Sequence, residues 1–103
     1  MNAENYICRA EIAYKSGKTK IAIRYAKRAI ELCDDQSKIT ALRIFMARAY
    51  SKLGKIHESN AIYRKLISEK NYLPPVIMGL MYNNFQNTKK ANSNLNLIKI
   101  FVR

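Results

Sequence analysis

Apolar residues recur along this chain at the 3.6-residue spacing of an α-helix, and short polar or glycine-containing breaks separate the recurring stretches. The spacing predicts five helices, over residues 6–14, 21–33, 39–53, 57–69 and 75–85. The buried faces expected in the second, third and fourth helices are Ala22, Tyr25, Ala26, Ala29, Ile30 and Cys33, then Leu42, Met46, Ala49, Tyr50 and Leu53, then Ile62, Tyr63, Leu66 and Ile67. The fifth helix is strongly apolar and contains Val76, Ile77, Met78, Leu80, Met81 and Tyr82.

The breaks between these stretches carry helix-end signals. Gly17 and Gly54 are placed to end the first and third helices, where a left-handed residue favours glycine. Thr19 is predicted to cap the second helix and Ser37 the third, because a side-chain hydroxyl accepts a hydrogen bond from the first turn. Pro75 suits the first turn of the fifth helix, where its missing N–H costs nothing.

The C-terminal stretch fits two patterns. Ala91, Leu95, Ile98 and Val102 are spaced as on one face of a helix, whereas the alternation of Asn and Leu over residues 94–97 also suits a strand. With the helical interpretation, the chain is predicted to be all-α, with about six helices.

Two segments of the chain are similar to each other. AYKSGKTKIAIRYAKRAIEL begins at Ala13, AYSKLGKIHESNAIYRKLISE begins at Ala49, and each spans a helix end, a glycine turn and the next helix. Self-similarity at a spacing of roughly 20 to 50 residues is typical of repeat proteins, in which a helical hairpin needs stacked neighbours to bury its apolar face. Such an architecture favours a binding surface over an active site.

The duplicated hairpins resemble the tetratricopeptide repeat (TPR) family, whose unit is a helical hairpin of about 34 residues. The matching positions are Tyr6, Ala10, Ala22 and Ala29 in the first repeat, Met46, Ala47, Tyr50, Leu53, Gly54, Ser59 and Tyr63 in the second, and Met78, Gly79, Tyr82, Ala91 and Leu95 in the third. Leu66 stands where the family prefers alanine, and Gln86 replaces a turn glycine. The resemblance implies one domain with repeats at about residues 3–36, 40–73 and 72–103, stacked as antiparallel hairpins in a short right-handed α-solenoid.

The resemblance also implies a concave groove lined by the first helix of each hairpin. The positions that carry over are Ile7, Glu11, Tyr14 and Lys15, then Ile44, Arg48, Ser51 and Lys52, then Val76, Leu80, Asn83 and Asn84. Such a groove would be apolar at its floor and basic along one side, which suits an amphipathic or acidic segment of a partner protein. The alternative is that its apolar members, Ile7, Ile44, Val76 and Leu80, belong to the core.

The chain is basic, with 19 Lys and Arg, 7 Asp and Glu, and a formal net charge of +12. The excess lies in the C-terminal two thirds, and no acidic residue follows Glu69. A basic patch is predicted from Lys20, Arg24, Lys27, Arg28, Arg64 and Lys65. Because such charge attracts phosphates, a nucleic-acid-binding helical protein or small transcriptional regulator is the alternative function. No zinc-ligand spacing and no base-reading recognition helix accompany the charge.

Patterns of catalytic and metal-binding residues are missing from the sequence. His57 is the only histidine, and the adjacent Asp34 and Asp35 are typical turn residues. Cys8 and Cys33 have neither disulfide-framework nor metal-site spacing and are predicted to be buried thiols. We therefore expect no enzymatic activity, no metal and no cofactor.

Together these patterns favour a small cytoplasmic protein that binds other proteins. No stretch approaches the roughly 18 apolar residues that span a bilayer, and the first residues lack the apolar core of a signal peptide. Size and layout resemble the small TPR-type chaperones of bacterial secretion systems, so an adaptor or chaperone is the expected function. The apolar C-terminal end, residues 97–101, is expected to be covered by a partner or by a second copy in a homodimer.

Overall fold

The computed structural model of the chain describes residues 2–86, and every regular element within them is an α-helix. The helices are α1 (Ala3–Lys15), α2 (Thr19–Leu32), α3 (Gln36–Lys52) and α4 (Ile56–Ser68), followed by α5 over residues 74–86. The predicted all-α class is thereby confirmed for this part of the chain. The expected element over residues 91–102 and the apolar end at 97–101 lie outside the described residues. None of the helices in residues 2–86 has the combined length and apolarity that crossing a bilayer requires.

Both predicted N-caps are wrong, for reasons visible in the local geometry. The third helix begins at Gln36, and Asp35 caps it by accepting a hydrogen bond from the Ser37 amide at 2.9 Å. Thr19 is the first residue of α2 and is buried, so Lys18 occupies the cap position without a side-chain bond. A carboxylate is as good a cap acceptor as a hydroxyl, so the polar residue types before α3 do not by themselves distinguish Asp35 from Ser37 as the cap.

The same hydrogen-bonded turn ends three helices. At Gly17 (φ 82°) and Gly54 (φ 80°), the glycine amide and the amide after it donate to carbonyls in the last turn of the helix before. In the first of these turns, the Lys18 amide reaches the Ala13 carbonyl at 2.8 Å. The third turn follows α4 and places Lys70 in the left-handed conformation, with φ 65°. This is the Schellman arrangement, in which two otherwise unpaired carbonyls gain donors.

Small side chains form the contact between the first two helices. Ala10 and Ala13 of α1 and Ala22, Ala26 and Ala29 of α2 are all buried, and α2 packs in turn on α3. Larger residues surround this alanine seam, and the rings of Tyr6 and Tyr25 lie 6.1 Å apart beside it. Short side chains let the helix backbones approach closely, so dispersion contacts are made by backbone as well as side-chain atoms.

A second cluster joins α3, α4 and α5. It consists of Ile44, Ala47, Tyr63, Leu66 and Val76. Gly79 lies against the ring of Tyr63, and a Cβ atom placed on Gly79 would be 2.7 Å from Tyr63 Cε2 and closer still to Cζ and the phenol oxygen. The absence of a side chain at position 79 is therefore what allows α5 to lie on α4.

The predicted buried faces are correct in their centres and wrong at their edges. Tyr63 and Leu66 are buried as expected, but Ile62 and Ile67 beside them are only half-buried. Tyr25, Ile30, Tyr50 and Leu53 are likewise half-buried. The cysteine prediction is wrong, because Cys8 is exposed and Cys33 half-buried, both as free thiols. Helical spacing identifies the middle of an apolar face, whereas its width depends on which neighbouring helices cover it.

Substitution Gly79→Ala tests the contact between α5 and α4. Alanine normally stabilises a helix relative to glycine by about 1 kcal/mol, but here its methyl group overlaps Tyr63, and we expect a net loss of about 2 kcal/mol in the free energy of unfolding. Urea denaturation of Gly79→Ala and of Asn84→Ala, an exposed position on the same helix, measures the difference. A Gly79→Ala variant as stable as the wild type would contradict this packing.

Substitution Lys70→Gly tests the strained turn after α4. Since glycine adopts positive φ without steric cost, we expect a gain of up to about 1 kcal/mol in stability. The control Lys65→Gly, inside α4, should lose about 1 kcal/mol by helix propensity. Equal losses in the two variants would show that position 70 does not need the left-handed conformation.

Candidate functional site

Two adjoining depressions lie along one side of the molecule, where α1, α3 and α5 meet the surface. The first has a volume of about 390 Å³ and is lined by Glu4, Ile7, Ala10, Glu11, Lys38, Ala41, Leu42, Ile44, Phe45 and Arg48. The second has a volume of about 580 Å³ and is lined by Tyr14, Arg48, Ser51, Lys52, Tyr63, Pro75, Met78, Gly79, Tyr82 and Asn83. Arg48 lines both, so we treat the two depressions as one groove.

Eight of the twelve residues predicted to line a groove contribute to these depressions. They are Ile7, Glu11, Tyr14, Ile44, Arg48, Ser51, Lys52 and Asn83. Lys15 and Asn84 are exposed but line neither depression, and Leu80 is half-buried against the second core cluster. Helices α1 and α3 thus bring together residues that are far apart in sequence.

Val76 and Asn83 are corrections to the predicted groove surface. Both residues have 0% exposure: Val76 lines neither depression, and Asn83 borders the second one without presenting accessible surface to a partner. Val76 belongs to the core cluster with Tyr63 and Leu66, as the alternative interpretation of the apolar residues supposed. Helix α5 lies on α3 and α4 with its face of Val76, Leu80 and Asn83 turned inward, and this places the remaining face outward.

Asn83 is the centre of a buried polar network that fixes the groove wall formed by α5. Its amide nitrogen donates to Ser59 Oγ and to Asn60 Oδ1, each at 2.8 Å, and its carbonyl oxygen accepts from Ser51 Oγ at 2.7 Å. Ser59 donates in turn to the Ala47 carbonyl at 2.6 Å. Because these bonds need one axial position of α5, they specify how α5 sits on α3 and α4.

Aromatic rings mark the place where the two depressions meet. Tyr14, in the second depression, lies 5.3 Å from Phe45, in the first, measured between ring centroids and at an interplanar angle of 56°. The Lys52 ammonium lies 4.5 Å from the centroid of the Tyr14 ring, a cation–π contact. Burial raises the pKa of the Tyr63 phenol above its ordinary value.

The charges are unequally distributed along the groove. In the first depression, Glu4 pairs with Lys38 and its hydrogen bond raises the pKa of that ammonium group. Glu11 and Arg48 stand on α1 and α3 without an ion-pair partner within residues 2–86. In the second depression, Arg48 and Lys52 are both cationic and no carboxylate is among the lining residues that the structure describes. The groove therefore changes from mixed charge to positive charge towards α5.

Comparison with models of known protein families, with curated proteins and with solved structures finds no match.

The residues of the predicted basic patch lie on α2 and α4, and none of them lines either depression. All six residues, Lys20, Arg24, Lys27, Arg28, Arg64 and Lys65, are exposed. Arg28 is paired with Glu31 at 2.8 Å, whereas Lys20, Arg24 and Lys27 have no carboxylate partner in the described part of the chain. Residues 2–86 contain no group of His, Cys, Asp and Glu placed to hold a metal ion.

Tertiary packing exposes groove residues that the sequence pattern does not identify. Met78 and Tyr82 lie in the predicted apolar helix and match the repeat pattern, yet they are 66% and 56% exposed on the groove wall. The sequence does contain a sign of this exposure, since the apolar residues of α5 lie on more faces of the helix than one neighbouring helix can cover. Glu4 and Lys38 gave no comparable signal, because their pairing depends on the distance between α1 and α3.

Substitution Asn83→Ala tests the polar network. It leaves the buried Asn60 Oδ1 without its donor and the Ser51 hydroxyl without its acceptor, and we expect a loss of about 2–3 kcal/mol in the free energy of unfolding. The neighbouring Asn84→Ala, at an exposed site, should change stability by less than about 0.5 kcal/mol. Equal denaturation midpoints for the two variants would refute the role assigned to Asn83.

Proposed function

We propose that this chain is a protein-interaction module, a small adaptor or chaperone that holds a helical or extended segment of a partner protein in the groove. The observation that carries the proposal is the composition of the groove: an apolar and aromatic floor, exposed Met78 and Tyr82 on one wall, and charged groups at its rim. Exposed apolar surface rimmed by polar groups is typical of protein-binding sites.

The proposed architecture is a short right-handed, TPR-like α-solenoid of about six helices arranged as stacked antiparallel hairpins. Three features support it: the alanine seam between α1 and α2, the repeated glycine turns, and the full burial of Ala47 and Ser59, which are two of the positions that match the repeat pattern. In such a stack the first helix of each hairpin forms one side of the molecule. Most residues that line the groove come from α1, α3 and α5, and this supports the proposed arrangement.

The proposal assigns no catalytic activity and no cofactor to the chain. It places the protein in the cytoplasm, where the exposed thiol of Cys8 stays reduced. By this proposal the chain resembles the small TPR-type chaperones of secretion systems, which shield an apolar segment of another protein before assembly. A homodimer that buries the apolar C-terminal end is compatible with this role.

The double substitution Met78→Ser/Tyr82→Ser tests the groove. Both side chains are exposed, so the variant should fold, and we expect it to recover at least about tenfold less partner when the tagged protein is purified from the cells that produce it. The matched control is Ile12→Ser/Tyr72→Ser, because these side chains are 65% and 64% exposed and lie outside the groove. Loss of the same partner from both variants, or from neither, would refute groove binding.

Nucleic-acid binding is a second candidate, favoured by Lys20, Arg24 and Lys27 on α2, which are exposed and have no carboxylate partner within residues 2–86. If this surface is the main ligand site, Lys20→Glu/Arg24→Glu abolishes tight binding to random-sequence DNA or RNA at physiological salt, while Met78→Ser/Tyr82→Ser leaves it intact. The groove proposal expects weak, strongly salt-dependent binding of nucleic acid to every one of these chains.

A further inference from the structure

The second depression combines two cations with no anion among its described lining residues. Arg48 and Lys52 are four residues apart on α3, both are exposed, and neither forms an ion pair within residues 2–86. Like charges at this spacing destabilise a helix slightly, so the pair costs stability unless an anion lies between them. Lys52 is held over the ring of Tyr14, at 4.5 Å from its centroid.

An apolar wall faces these cations. Met78 and Tyr82 are four residues apart on α5 and are both more than half exposed. The methionine side chain is flexible and adapts to different shapes, and the tyrosine offers a rigid ring with a polar tip. Gly79, between them in sequence, packs directly against the ring of Tyr63 and so holds this wall close to α4.

The opposite end of the groove carries mixed charge. Glu11 lies in the first depression without an ion-pair partner in the described part of the chain, whereas Glu4 is paired there with Lys38. A nucleic-acid strand running along the whole groove would bring phosphates against the unpaired Glu11 carboxylate. A peptide with a few acidic residues at one end avoids this repulsion, since its other end can be neutral or basic.

We propose that the partner segment carries a carboxylate side chain next to a large apolar side chain, and that the second depression binds this pair. The carboxylate meets Arg48 and Lys52, the apolar side chain lies on Met78 and Tyr82, and a basic residue further along faces Glu11. This inference rests on the proposed function and adds to it the chemistry and the orientation of the segment. The fixed order of charges gives the segment one direction in the groove.

Fluorescence anisotropy with two labelled peptides of about 13 residues, the length of a helix that spans roughly 20 Å, tests the inference. The first peptide has a Phe-Leu pair flanked by Glu near one end and a single Lys at the other end. The second peptide has Lys in place of Glu and Glu in place of Lys, with the Phe-Leu pair unchanged. We expect the wild-type protein to bind the first peptide at least about tenfold more tightly than the second. Equal affinities would overturn the inference.

Two charge-reversed variants show which basic residues cause the preference for the first peptide. Arg48→Glu/Lys52→Glu should lose the preference for the first peptide or invert it. Lys20→Glu/Arg24→Glu has the same charge change at the same spacing on α2 and should retain the preference. If both variants lose the preference equally, the effect comes from net charge alone and the inference is wrong.

The two proposals fail in different ways. If Met78→Ser/Tyr82→Ser loses the natural partner but wild-type protein does not distinguish the two peptides, the groove is the binding site and the inferred charge complementarity is wrong. If the natural partner is retained by Met78→Ser/Tyr82→Ser and by Arg48→Glu/Lys52→Glu, groove binding itself is wrong.

Discussion

The close approach of neighbouring helices is the constraint on which the rest of this structure depends. Five alanines of α1 and α2 are buried where these helices pack together, and Gly79 of α5 lies against a tyrosine ring of α4. A short side chain at each crossing lets the backbones approach and leaves the larger residues to fill the space beside the seam. Helices of this length gain most of their stability from such packing and little from their own propensity.

Polar contacts supply the specificity that alanine and glycine contacts lack. A contact made only by alanine and glycine permits a helix to slide or rotate. The amide of Asn83, in contrast, has its polar atoms hydrogen-bonded only when α5 has one axial position and one rotation relative to α3 and α4. The network also determines which face of α5 remains outside. Met78 and Tyr82 line the groove because Asn83 and Val76 occupy the inner face.

The groove follows from this packing and has its own electrostatic character. Helix α3 contributes Arg48 and Lys52, helix α1 contributes Glu11, and no partner within residues 2–86 neutralises these three groups. Charged side chains around an apolar floor increase association rates and select among partners more than they increase affinity. The basic residues on α2 form a separate surface, so the high net charge of the chain does not by itself identify its ligand.

The sequence by itself determined the helical class, the glycine turns at 17 and 54, and the small residues at the centres of the contacts. These features depend on local backbone conformation and on helical spacing, and both can be read from residues that are close together in the sequence. Only the tertiary structure decided that Val76 is core, that Asn83 is a buried hydrogen-bonding centre and that Cys8 is exposed. Burial at the edge of an apolar face depends on which other helix lies there, and that is a relation between residues far apart in the chain.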